Sequence, residues 1–127
     1  MRGVLLDTHA LIWWASGSRA LGANARRMIE DEATAVLVSA ASAWEISTNV
    51  RLGRLKWETT ESVEAYCAGQ RFVLLPVSFA HAERAGAWTA EHGDPFDRIL
   101  AAQSHIERVP LATNDPGIRV FGIDTVW

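Results

Sequence analysis

The chain has one cysteine, Cys67, and one lysine, Lys56, in 127 residues. A lone cysteine forms no internal disulfide, so the fold does not depend on an oxidising compartment, and nothing resembles a Cys/His metal cluster. With lysine almost absent, the cations are nearly all arginine, the better side chain for bidentate pairing with phosphate or carboxylate. Positive charge is not in excess: 12 Lys and Arg against 15 Asp and Glu leave a net charge of −3, with a pI near 5.8. That balance excludes a protein that grips nucleic acid by bulk electrostatics, and any phosphate-bearing partner needs local help. Long apolar runs are missing too, since none approaches the roughly 20 residues needed to cross a bilayer. The opening MRGVLLDTHALIWWASG has the outline of a secretion signal, but Asp7 and His9 interrupt its apolar run. The expectation is a soluble, cytoplasmic protein. No repeat or Pro/Gly/Ser linker divides the sequence, so residues 1–127 read as a single domain.

What is present is core material, with 49% apolar residues, enough for an ordinary domain. Short apolar runs alternate with helical segments. Residues 3–6, 35–38, 72–75 and 109–112 read as buried strands, and a last one ends the segment 118–126. Helices are expected over 8–15, 21–31, 40–52, 61–70, 79–90 and 94–107. Continuous apolar strands separated by helices suit an α/β domain, a central parallel sheet flanked by helices on both faces.

Within this pattern, the stretch SAASAWEIS raises a question. Glu45 is the only ionisable side chain between residues 33 and 50. A carboxylate kept from water without a partner costs several kcal/mol or takes up a proton, so a lone acid in apolar sequence faces a cation, a donor or a cleft. In a parallel sheet, ligands gather at the carboxyl ends of the strands. Asp7 ends the first strand, Asp115 follows the strand at 109–112, and Glu45 lies on the helix after the second strand. The helix at 94–107 precedes a strand and so begins at the same edge, bringing Asp94 and Asp97 there.

Taken singly, each aspartate is a good helix cap, and Asp94-Pro95-Phe96-Asp97 has the cap, first-turn proline and acidic third position of a helix start. Glu45 resists that explanation. Acids from four segments converging on one rim favour a divalent cation, which offsets their repulsion. Mg²⁺, with Mn²⁺ as substitute, suits oxygen ligands and needs neither cysteine nor a histidine cluster.

The segments LLDTHALIWW, VSAASAWEIS, RLGRL, HGDPFDRILAAQ and LATND, in this order and spacing, resemble the PIN-domain ribonucleases, and within them the VapC-type toxins of bacterial toxin-antitoxin pairs. The resemblance covers essentially the whole chain and implies a PIN-like three-layer domain. It also implies a Mg²⁺-dependent endoribonuclease acting on cellular RNA. Its metal-binding and catalytic acids match Asp7, Glu45, Asp97 and Asp115. Thr113, Ser39, Thr8 and Asp94 match or neighbour positions that order such a site. The partners implied are a VapB-like antitoxin, which restrains the toxin, and a second copy in a homodimer; no membrane partner is expected.

Other residues carry weaker signals. Arg51 and Arg54, with Lys56, are candidate RNA contacts or an ordinary solvated helix end. Arg98 has two roles open, touching the scissile phosphate or pairing with a nearby acid. The four histidines show no ligand spacing, with His92 alone placed near the rim. Trp13 and Trp14 are adjacent on a helix and cannot face the same side, so one is expected at a partner surface, beside a groove for apolar anchors of the antitoxin. The competing reading is a Mg²⁺-binding receiver-like signalling domain without nuclease activity. It requires a lysine on a late strand, and Lys56 is in the wrong region.

Overall fold

The computed structural model describes residues 2–127. Strand β1 (Gly3–Leu6) is followed by α1 (Thr8–Ser16) and α2 (Ala23–Glu30), and β2 (Ala35–Ser39) leads into α3 (Ala40–Arg51). Next come α4 (Val63–Gly69), β3 (Val73–Leu75), α5 (Phe79–Ala87) and α6 (Pro95–Glu107). The chain then forms β4 (Leu111–Ala112), a 3-10 turn at Pro116–Phe121 and β5 (Thr125–Val126). Every strand pair is parallel, in the order β3-β2-β1-β4-β5.

Alternation along the strands explains the layers. Val4, Leu6, Val36 and Val38 belong to one core with Leu11 of α1, Ala25 and Ile29 of α2, Ile46 of α3 and Cys67 of α4. Leu5 and Leu37, between them in sequence, belong to a second core with Leu100 and Ala101 of α6 and Ile118 and Phe121 of the 3-10 turn. Because successive strand residues point to opposite faces, two separate cores on one sheet mean that both faces are covered. All four residues of β1 are buried, which is why that strand reads as an unbroken apolar run. Among the described residues, no helix is long and apolar enough to cross a membrane.

The strand order also locates a crevice. From β1 the chain builds outward through β2 to β3, then returns to the other side of β1 with β4. The direction reverses between β1 and β4, and the carboxyl ends flanking such a reversal are where open α/β sheets place their ligands.

Two expectations need correction. The helix expected over 79–90 stops at Ala87, because Trp88 turns to an extended backbone, φ −58° and ψ 128°, and residues 88–94 form a loop. Neither Trp13 nor Trp14 stands free: Trp13 packs edge-on against Trp127 at 5.6 Å. Trp14 lies 6.4 Å from the Phe72 ring and donates its indole N–H to Gln70 at 3.0 Å. Among the described residues the strongly exposed aromatics are instead Trp44 and Phe79.

Candidate metal centre

Asp7 follows β1 directly and caps α1, its Oδ1 accepting from the Ala10 amide at 2.7 Å. The Thr113 hydroxyl lowers the pKa of the same carboxylate and accepts from the Asp115 amide at 3.1 Å. The Asp7 amide, donating to the Ala112 carbonyl at 3.0 Å, ties the end of β1 to β4 just ahead of Thr113. Asp7 is only 9% exposed. Burial raises its pKa above the usual aspartate value, and the charge of Asp97 adds to the rise against the lowering effects of Ala10 and Thr113.

Glu45 reaches the rim from α3. Its Oε1 accepts from the Thr8 hydroxyl at 2.5 Å, and that hydroxyl lies 3.1 Å from the Ser42 hydroxyl. The lone acid thus does have a donor, on another helix. Burial still pushes its pKa up, opposed by Thr8 and reinforced by the charges of Asp94 and Asp97. Ser39 fixes the start of the same helix, accepting from the Ala41 amide at 3.0 Å.

Asp94 caps α6, accepting from the Phe96 and Asp97 amides at 2.9 and 3.2 Å. One turn in, Asp97 points back to the rim, where its Oδ2 lies 2.8 Å from Nε2 of His92. Its pKa is raised by burial and by the charges of Asp94 and Asp115, and lowered by the His92 contact. Asp115 starts the 3-10 turn and holds it through the Gly117 amide at 2.9 Å. One donor atom from each of His92, Asp97 and Asp115 lies within 4.8 Å of the other two. Gly117 makes room for this trio: a Cβ there would sit 3.0 Å from His92 Cε1 and 3.2 Å from Asp115 Oδ1. The imidazole also stands edge-on to Phe121 at 5.5 Å.

Sequence reasoning gave His92 no ligand role. The available signal was its place in His-Gly-Asp-Pro-Phe-Asp, just ahead of a capped, acidic helix start.

Arg98 needs a correction. Its guanidinium turns away from the acids and donates to four backbone carbonyls: Ala85 and Ala90 at 2.8 Å, His92 at 2.8 Å and Trp88 at 2.5 Å. A fork with five donors in one plane can serve several carbonyls at once. Arg98 therefore shapes the loop 88–94 that delivers His92, and its donors are committed to backbone rather than offered to a phosphate. Arg51 and Arg54 are exposed at the far end of α3, away from the acids.

No lysine or arginine among the described residues lies within 4.0 Å of Asp7, Glu45, Asp94, Asp97 or Asp115; the one basic side chain in contact with the group is the His92 imidazole, at Asp97. Several carboxylates, partly withdrawn from water, share one crevice without a strong internal counter-charge. A divalent cation would compensate them, and oxygen-rich donors with one imidazole fit such an ion.

A family model for the PIN domain matches residues 4–123. The chain belongs to the PIN domain family. Solved structures share the fold over nearly their full length. The VapBC2 complex of Rickettsia felis, solved bound to a promoter DNA fragment, contains a chain that superposes with a TM-score of 0.70 at 12% identity, covering 98% of this chain and 97% of that one. A toxin-antitoxin complex from Klebsiella pneumoniae gives 0.61 at 22% identity over 98% and 96% of the two chains. FitAcB from Neisseria gonorrhoeae gives 0.60 at 18% identity over the same shares. No curated protein matches the sequence. In this PIN domain the acids sit at the switch between β1 and β4, the crevice that the strand order alone would single out.

Proposed function

We propose that this PIN domain is a metal-dependent endoribonuclease of the VapC type, the toxin of a toxin-antitoxin pair. The observation that supports the reading is the close grouping of His92, Asp97 and Asp115, with Asp7 and Glu45 near enough to feel the charge of Asp97 and no arginine or lysine paired to these acids. Asp7, Asp97 and Asp115 are the residues that would hold Mg²⁺ or Mn²⁺, with Glu45 facing them from α3. When bound, such an ion polarises a phosphodiester, favours ionisation of attacking water and stabilises the leaving oxygen.

The chain's own contribution is positioning. The Ala10 amide fixes the Asp7 carboxylate, Thr8 holds Glu45, and the Asp94 cap sets the first turn of α6 so that Asp97 meets His92. Groups held by packing and hydrogen bonds need little reorganisation as the reaction proceeds. Burial that raises the carboxylate pKa values makes Asp7, Glu45 and Asp97 candidates for carrying a proton as well as binding an ion.

The partner proposed is a VapB-like antitoxin, and support comes from the solved relatives, which are toxin-antitoxin complexes. An arginine from a bound peptide would pair bidentately with the uncompensated acids and compete with the metal. Homodimerisation and a cytoplasmic location belong to the same proposal. The test incubates purified protein with total RNA, with and without Mg²⁺ or Mn²⁺, and maps new ends. Cleavage that needs the metal and vanishes in Asp97→Asn supports the reading, whereas equal cleavage by that variant overturns the site. Co-expression of the neighbouring gene product should abolish cleavage and yield a stable complex.

A further inference from the structure

Trp44 is 65% exposed although it sits beside the acidic crevice. It precedes Glu45 on α3, and its ring meets that of Phe96 edge-on at 4.9 Å, between the starts of α3 and α6. Phe96 in turn precedes Asp97. The two aromatics thus stand at the mouth of the acidic crevice, each next in sequence to one of its acids. Neither joins either buried core, so core packing does not explain them.

The outer face of α3 continues from there. Ser47 and Arg51 lie three and seven positions after Trp44, on one helical stripe, and both are exposed. Arg51 is roughly 10 Å further along the helix axis, from the usual rise per residue. Arg54 follows beyond the helix end, also exposed. In a chain of net charge −3, a stripe that runs from an exposed aromatic ring to two arginines is locally complementary to a polyanion.

We infer that Trp44, backed by Phe96, is a stacking platform for an unpaired base next to the cleaved bond, and that Arg51 and Arg54 take phosphates of the same strand along α3. Aromatic platforms combined with a basic track are how single strands are held without a duplex, since every base offers a π face. The exposed arginines further along α3 favour this occupant over a second protein. The inference rests on the nuclease reading and gives it a substrate geometry: the nucleotide beside the cut must be unstacked from a duplex.

The test measures binding and cleavage of a short fluorescent oligoribonucleotide by the full chain in Mn²⁺, alongside the same sequence annealed into a duplex and a series with one abasic nucleotide at each position. Trp44→Ala is expected to weaken binding of the single strand by about 5- to 100-fold, the loss typical of one base-stacking contact. Trp44→Tyr should retain most of the affinity. One abasic position should cost the wild type a similar factor and cost Trp44→Ala little. Arg51→Ala should flatten the salt dependence of binding. Unchanged binding by Trp44→Ala, with its fold confirmed by circular dichroism, overturns the platform, as does a shift from dimer to monomer in that variant with binding per chain unchanged, which would make the face an interface between copies. A wild type that binds with these signatures but cleaves nothing leaves the platform standing and removes the nuclease reading. Cleavage by wild type that Trp44→Ala matches does the reverse.

Discussion

The Thr8 hydroxyl donates to Glu45 Oε1 at 2.5 Å, joining the first turn of α1 to α3 across 37 positions of sequence. The bond lowers the Glu45 pKa against the stronger effect of burial. Thr8→Val keeps the shape and removes the donor. Glu45 should then ionise at higher pH, so the acid limb of the cleavage profile moves toward neutral. The stability cost should be about 1 kcal/mol, the usual net value of one hydrogen bond. Thr8→Ser should restore the profile. A Thr8→Val profile that coincides with wild type would show that Glu45 is not titrating in the reaction.

Arg98 is expected to matter for folding rather than for RNA affinity. Its four carbonyl partners span the loop from the end of α5 to His92. Removing the guanidinium leaves them without their donor, and bonds to a charged group are worth about 1.5–3 kcal/mol. Arg98→Ala should therefore lower unfolding stability by roughly 2–4 kcal/mol, and Arg98→Lys should recover little of it because an ammonium cannot fan out over four acceptors. Urea titration measures the loss. Wild-type stability combined with weakened RNA binding would return Arg98 to the phosphate.

Gly117→Ala tests whether His92 must sit where it does. The added methyl would press on His92 Cε1 and Nδ1 and on Asp115 Oδ1 at 3.0–3.2 Å, while the backbone of the 3-10 turn can accept alanine. Small displacements of reacting groups are costly, up to about 100-fold for 1 Å. Cleavage should fall on the order of 10-fold or more, with a melting temperature near that of wild type. A variant as active as wild type would mean that the His92, Asp97 and Asp115 cluster tolerates movement and that its compactness serves no function.

The contrast between Glu45 and His92 shows where the sequence could be read and where it could not. Buried parallel strands announce themselves because both faces are apolar, so β1 and β2 start where the runs at 3–6 and 35–38 start. Once strand ends are known, acids that follow them fall on one edge by topology, which is how Asp7, Glu45, Asp97 and Asp115 could be grouped. The donor to Glu45 could not be read, since Thr8 meets it only through the packing of α1 on α3. The early end of α5 was hidden for a similar reason. Residues 88–90 have helix-compatible side chains, and it is the Arg98 fork, ten residues after Trp88, that draws their carbonyls out of a helical path. Trp13 and Trp14 misled in the opposite sense: adjacent positions on a helix do face different sides, but α1 has partners on both, Trp127 and Phe72.

The final prediction separates the two readings of Asp7, helix cap and metal ligand. Asparagine caps a helix as well as aspartate does, so Asp7→Asn keeps the bond to the Ala10 amide and removes only the charge. Burial raises the folded-state pKa values of Asp7, Glu45 and Asp97 above their ordinary 3.8, 4.5 and 3.8. A raised folded value means that the native state holds its proton longer than the unfolded chain does. That contribution to stability is complete below the unfolded pKa and is lost as pH rises through the folded one. In chelator, Asp7→Asn should therefore melt close to wild type near pH 4 and above it at neutral pH. Saturating Mn²⁺ should reverse the order. An ion that binds only the folded state adds about 2.7 kcal/mol at one hundred times its dissociation constant, and the variant, lacking one charge of the site, should gain much less. Melting curves at two pH values, each with chelator and with Mn²⁺, give all four arms. If Asp7→Asn is the less stable protein at neutral pH in chelator, or gains as much from Mn²⁺ as wild type, the charge at position 7 serves the fold and the metal must be held without it.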